Sequence, residues 1–148
     1  MSTELLIDSA QNGSRIALLQ DKSLVELHSE GMDNQFKVGD IYLGTVRKIV
    51  NGLNAAFIDV GYEKDAFLHY QDLGANFNSL TKFTKMVRNN NYGNYNLKGF
   101  ENEPEIDKIG KISGPLSKNQ QILVQVVKEP ISTKGPRLSC ELSLPGRY

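Results

Sequence analysis

The sequence predicts a mainly all-β protein, and three observations within residues 37–73 carry that reading. Runs rich in Ile, Val and Tyr recur at short intervals, over Ile41–Val50, Ala55–Val60 and Ala66–Tyr70. Turn-forming residues separate them: Asn51-Gly52-Leu53-Asn54 tolerates positive φ, Gly61 ends the second run, and Glu63-Lys64-Asp65 makes a polar corner. Side chains alternate across a strand, so Ala56, Ile58 and Val60 share one face, suited to a core, while Ala55, Phe57 and Asp59 share the other.

The remaining elements follow in chain order. Glu4–Asp8, Arg15–Leu19 and Leu24–His28 read as a strand and then a hairpin turning over Gln20-Asp21-Lys22-Ser23. Residues 1–30 carry five acidic and two basic residues, whereas 36–50 carry three basic and one acidic. That shift, with the polar break at 31–35, places a boundary near residue 34. In the third strand of the central segment Leu68 goes inward, so Phe67 and His69 point outward. Phe57 and Phe67 then lie on adjacent strands of one outer face with Asp59 and His69. Two surface aromatics on a small sheet near lysines form a stacking platform for single-stranded nucleic acid. The competing register, slipped by one residue, turns both rings into the core.

From Gly74 to Asn119 the character changes. Lys82, Lys85, Arg88 and Lys98 have no acid among them, Asn89–Asn91 and Tyr92–Asn96 follow, and Glu101, Glu103, Glu105 and Asp107 come after. Little here looks able to bury a core, so the expectation is a long mobile insertion with a helical turn near Leu80–Val87. Its basic half, with Phe83, Tyr92 and Tyr95, reads either as an extension of a nucleic-acid track or as a solvated loop whose charges screen one another. The acidic half lacks the glycine turn and ligand order of a calcium loop. Gln121–Lys128 is the next strand. Arg137–Leu142, beyond a Pro- and Gly-containing link, either closes the same sheet or begins another, and Pro145-Gly146 ends it.

Taken jointly, VGDIYLGTVRKI, GLNAAFIDVG and KDAFLHYQDL resemble the RNA-binding domain named after ribosomal protein S-one. The flanks, Glu4–Asp8 with Arg15–Leu19 before and VQVVKEP, TKGPRLS and LSLPGRY after, resemble the N-terminal part of the RNase E/RNase G family of bacterial endoribonucleases. The likeness covers about residues 4–73 and 119–148. It implies a five-stranded OB-fold barrel of the S-one RNA-binding type, flanked by short strands from a truncated RNase H-like subdomain. The expected division is 1–34 for the opening strands of that subdomain, 35–135 for the barrel with its insertion at about 74–119, and 136–148 for the start of the return.

The same resemblance implies roles. Such enzymes cut single-stranded RNA, in RNA processing and decay including rRNA maturation, with two aspartates that hold magnesium in a later subdomain. They dimerise through zinc shared between cysteine pairs. Those motifs are missing here, so the chain is expected to be an N-terminal fragment, inactive alone and without a cofactor of its own, while magnesium, zinc and a homo-oligomer belong to the full-length parent. Phe57 and Phe67 match the aromatic pair that stacks a base, and Lys134 matches a lysine on the substrate backbone. Val60 stands where some members have a further aromatic. Gly146 matches a glycine of the pocket that senses a 5′-monophosphate. Lys37, Lys128 and Arg137, from the locally basic segments, are further phosphate candidates.

Composition bounds the rest. With 148 residues and formal net charge zero, the chain is large enough for a real core but does not bind polyanions by bulk charge. No apolar run approaches the roughly 20 residues a bilayer needs, no signal peptide is visible, and the one cysteine, Cys140, excludes an internal disulfide. The expected address is cytoplasmic. His28 and His69 stand far apart, and neither they nor Cys140 assemble a catalytic site. Two rival readings stay open: a non-catalytic protein-protein adaptor, and a complete nuclease.

Overall fold

The computed structural model describes residues 1–31, 35–90 and 97–146. Tyr92 and Tyr95 of the insertion, and Arg147, lie outside these described residues. The chain divides into two compact units at Gln35/Phe36.

The first unit is an antiparallel meander of β1 (Thr3–Ala10), β2 (Gly13–Gln20) and β3 (Ser23–Gly31). Asp21 and Lys22, at φ 48° and 66°, make the two-residue turn joining β2 to β3, since consecutive positive-φ residues match the right-handed twist of a hairpin. Every residue of β1 and β3 is exposed.

The second unit is a closed barrel in the order β4-β5-β6-β8-β7. Its strands are β4 (Ile41–Val50), β5 (Ala55–Asp59), β6 (Ala66–His69), β7 (Gln121–Lys128) and β8 (Arg137–Ser139). All neighbours run antiparallel except β6 and β8. The fold is therefore mainly β, a mixed five-stranded barrel with one α-helix among the described residues, consistent with an OB-fold. Asn54, left-handed at φ 48°, closes the turn between β4 and β5. Alternation fills the inside: Val46, Ala56, Ile58, Ala66, Leu68, Val124 and Leu138 are fully buried. Arg137–Ser139, whose place the sequence left open, is the closing strand, so the barrel continues past residue 135. Phe67 N–H donates to the Pro136 carbonyl at 2.9 Å, fastening β6 to the entry of β8.

The segment 74–119 departs from expectation. Instead of one helical turn it holds α1 (Phe77–Arg88), three turns long. Instead of leaving the core untouched it supplies Phe77, Ile112 and Leu116, each 2% exposed or less. Polar staples put them there. The Asn54 side chain donates to the Gly110 carbonyl at 2.9 Å and accepts from Ile112 N–H at 2.7 Å, while Tyr70 Oη donates to the Asp107 carbonyl at 2.6 Å. The acidic half folds back along α1: Glu103 N–H donates to Ser79 Oγ at 2.9 Å, and Lys82 Nζ lies 2.9 Å from a Glu103 carboxylate oxygen. Burying two aliphatic side chains contributes roughly 1.5–3 kcal/mol each, so these residues are part of the barrel.

Candidate nucleic-acid interface

Phe57 on β5 and Phe67 on β6 are direct cross-strand partners. Because Ala56, Ile58, Ala66 and Leu68 take the inner positions, both rings stand on the outer wall, half-buried rather than free in solvent. The register that places them outside is the one the structure adopts. Their centroids are 5.9 Å apart at an interplanar angle of 70°. This edge-to-face contact supports each ring against the other, worth about 0.5–1.5 kcal/mol beyond area burial.

Beside them opens a groove of about 930 Å³, walled by Phe57 and Phe67, by Lys64 and Asp65 at the corner before β6, and by the segment from Lys128 to Arg137. Within that segment Ile131 and Lys134 pair backbone to backbone, N–H to carbonyl at 3.1 and 2.9 Å, over the turn at Ser132 and Thr133. This small hairpin forms one rim. The other is the Lys64–Asp65 corner, and Gly135 locks the two together. A Cβ at position 135 would stand 2.3 Å from the Asp65 carbonyl oxygen and 2.8 Å from that of Lys64, a contact only glycine permits.

The structure thus brings Phe57, Phe67, Lys128, Lys134 and Arg137 together in one groove. Lys37 is not among its walls; its Nζ lies 3.8 Å from an oxygen of Glu129, which is. Gly146 lies in the exposed segment after β8, also off the groove. The cations differ in commitment. Arg137 donates to Asp72 at 3.0 Å, whereas Lys64, Lys128 and Lys134 make no ion pair among the described residues. Lys64 escaped the sequence reading, although its place in the polar corner one strand from Phe57 was a usable signal.

Nearby polar groups have structural roles. Asp59 accepts from Gly61 N–H at 2.9 Å and from Arg47 Nε at 3.1 Å. The backbone donor first, and then the guanidinium, hold its carboxyl below the usual carboxylate range, so it stays ionised as an anchor for β4. His69 Nδ1 accepts from Gln71 N–H at 3.2 Å, capping the turn after β6. His28 bonds Glu26 at 2.6 Å on the exposed β3. Cys140 is a buried core thiol, pushed up to about 12 by burial and by the charge of Asp72. Among the described residues no three His, Cys, Asp or Glu side chains converge as a metal site, and no helix is long and apolar enough to cross a membrane.

No family model matches the chain. Individual relatives do. Ribonuclease G of Haemophilus influenzae is 37% identical over 147 residues, covering 99% of this chain and 26% of that protein. Ribonuclease G of Escherichia coli K12 is 32% identical over 148 residues, all of this chain and again 26% of the relative. Ribonuclease E of Synechocystis is 40% identical over 113 residues, 76% of this chain and 13% of that protein. With such identity sustained along nearly its whole length, and an OB-type barrel at its centre, the chain belongs to the ribonuclease E/G family and spans about a quarter of the length of the ribonuclease G relatives it matches.

Proposed function

We propose that the barrel binds single-stranded RNA, seating bases on Phe57 and Phe67 while cations of the adjoining groove meet phosphates. One observation carries this reading: two mutually braced rings on an outer wall that open onto a groove edged by Lys64, Lys128 and Lys134. Stacking contributes about 1–3 kcal/mol per base and tolerates any sequence, because every base has a π face. Phosphate contacts add a salt-dependent share, and a net charge of zero keeps the whole weak.

The relatives are named ribonucleases, and in this reading the longer protein is a cytoplasmic endoribonuclease, homo-oligomeric, for which these residues supply substrate grip. Magnesium and zinc belong to that longer protein. Gly146 would line part of a 5′-monophosphate pocket. The division into an RNase H-like opening, a barrel that runs on through Ser139, and the start of a return after it belongs to the same proposal.

Fluorescence anisotropy with a short unstructured RNA at low salt tests it. The double variant Phe57→Ala/Phe67→Ala should lose most of the binding. Binding equal to the parent's would remove the stacking assignment, and binding with little salt dependence would favour the adaptor reading. Incubation with RNA and magnesium should give no turnover; cleavage would overturn the view that these residues only grip.

A further inference from the structure

Register ties five strands into one row. Lys48 on β4 sits opposite Phe57 on β5, and Phe57 opposite Phe67 on β6. Phe67 pairs with Arg137 on β8, and Arg137 with Lys128 on β7. Cross-strand partners share a face, so the row lies on the outside of the barrel, with two rings in the middle and cations at both ends. The groove accounts for the row from Phe57 to Lys128 and stops short of Lys48.

A bulge puts Lys48 there. Val46 pairs with Ile58 and Lys48 with Phe57, leaving Arg47 as the extra residue of β4. An unbulged strand would set position 48 opposite Ala56, whose side chain faces the core and is fully buried. The extra residue reverses that, since a bulge re-aims the side chains that follow it. Arg47 is consumed by Asp59, the acid on this part of the wall. Lys48 remains exposed, with no ion pair among the described residues.

We infer that Lys48 is a phosphate-binding residue at the end of the RNA track opposite the groove, so that the strand crosses the barrel wall from β4 to β7 with its stacked bases held between two phosphate contacts. This rests on the RNA-binding reading above. Four inter-strand spacings of about 4.8 Å make the path around the curved wall of the closed barrel roughly 19 Å long, matched to a footprint of about four nucleotides or more. A trinucleotide held by the groove cations extends from the rings toward Lys128, whereas a longer strand also continues past Phe57 to Lys48.

The test compares a trinucleotide with an octanucleotide, unstructured RNAs both, titrated against the full chain between about 50 and 200 mM salt. The variants are Lys48→Gln, Phe57→Ala/Phe67→Ala, and Lys22→Gln, a charge-matched change in the first unit. Lys48→Gln should lower the salt slope by about 0.7 on the octanucleotide and leave the trinucleotide unchanged, while Lys22→Gln moves neither. The assignment is overturned if Lys48→Gln behaves like Lys22→Gln, or if it costs both lengths equally and so acts as bulk charge. If the aromatic double variant loses binding while Lys48→Gln does nothing, Lys48 alone is misassigned. If neither matters, the proposed function falls and Lys48 with it.

Discussion

The two units are written in the same alternating code and do opposite things with it. In the sheet β1-β2-β3, Leu5, Ile7, Leu24 and Leu27 are each 59% exposed or more. In the barrel, Val46, Ile58, Leu68 and Val124 are at 0%. Closing a sheet encloses one of its faces and removes its edges, whereas three strands have no inside. Alternation marks a strand; it does not say what covers it.

The largest expected effects come from deleting side chains on either side of that comparison. Leu68→Ala should destabilise the barrel by about 2–5 kcal/mol, while Leu5→Ala should stay within about 0.5 kcal/mol. Urea unfolding followed by circular dichroism reads both, the chain having no tryptophan to report. Equal losses would break the contrast. Ile112→Ala sharpens it, since a loss as large as that of Leu68→Ala would make the 74–119 segment a working part of the barrel.

Next come the two faces of one wall. Phe57→Ala/Phe67→Ala should remove about 1–3 kcal/mol of RNA binding per stacked base and leave the barrel folded, because the four inner residues of β5 and β6 are untouched. If the double variant is less stable than Leu68→Ala, the rings serve the fold more than the ligand.

Cys140 probes the barrel interior by pH. Burial, and then Asp72, raise its thiol from 9.0 to about 12. A raised pKa means the folded state holds the proton more tightly, so this contribution is complete below pH 9 and lost as pH rises toward 12. By pH 10, one unit above the ordinary value, the loss amounts to about 1.4 kcal/mol. The parent should therefore lose more stability between pH 7.5 and 10 than Cys140→Ala does, as read from urea midpoints. Equal losses would place the thiol in water.

Much of this was legible in the residues. β7 was read from Gln121 to Lys128 because a continuous apolar run between turn formers leaves little choice, and the outward pair Phe57 and Phe67 followed from period two once Leu68 was put inside. Ile112 and Leu116 were not legible. Two isolated apolar residues in a charged stretch have no period, and what buries them is the Asn54 side chain, more than 50 positions away. β8 stayed ambiguous because three residues are too short for a pattern and its pairing to β6 is parallel, across a connection no local signal marks. Lys48 was hidden by its bulge, since counting along β4 without an extra residue sends it inward. The Arg137–Asp72 pair joins residues 65 positions apart and was equally invisible.

That pair yields the smallest effect. Lys134 and Arg137 both edge the groove, but Arg137 already donates to Asp72 and would give up that bond to reach a phosphate, as Lys37 would leave Glu129. Lys134→Gln should therefore lower the salt slope of RNA binding by about 0.7, and Arg137→Gln and Lys37→Gln by less, all measured on one octanucleotide. The discriminating case is Asp72→Asn. It frees Arg137, so it should steepen the slope in the parent and do nothing in the Arg137→Gln background. If Arg137→Gln already costs as much as Lys134→Gln, the Asp72 contact opens at no cost when RNA arrives, and pairing in the free protein does not rank its cations.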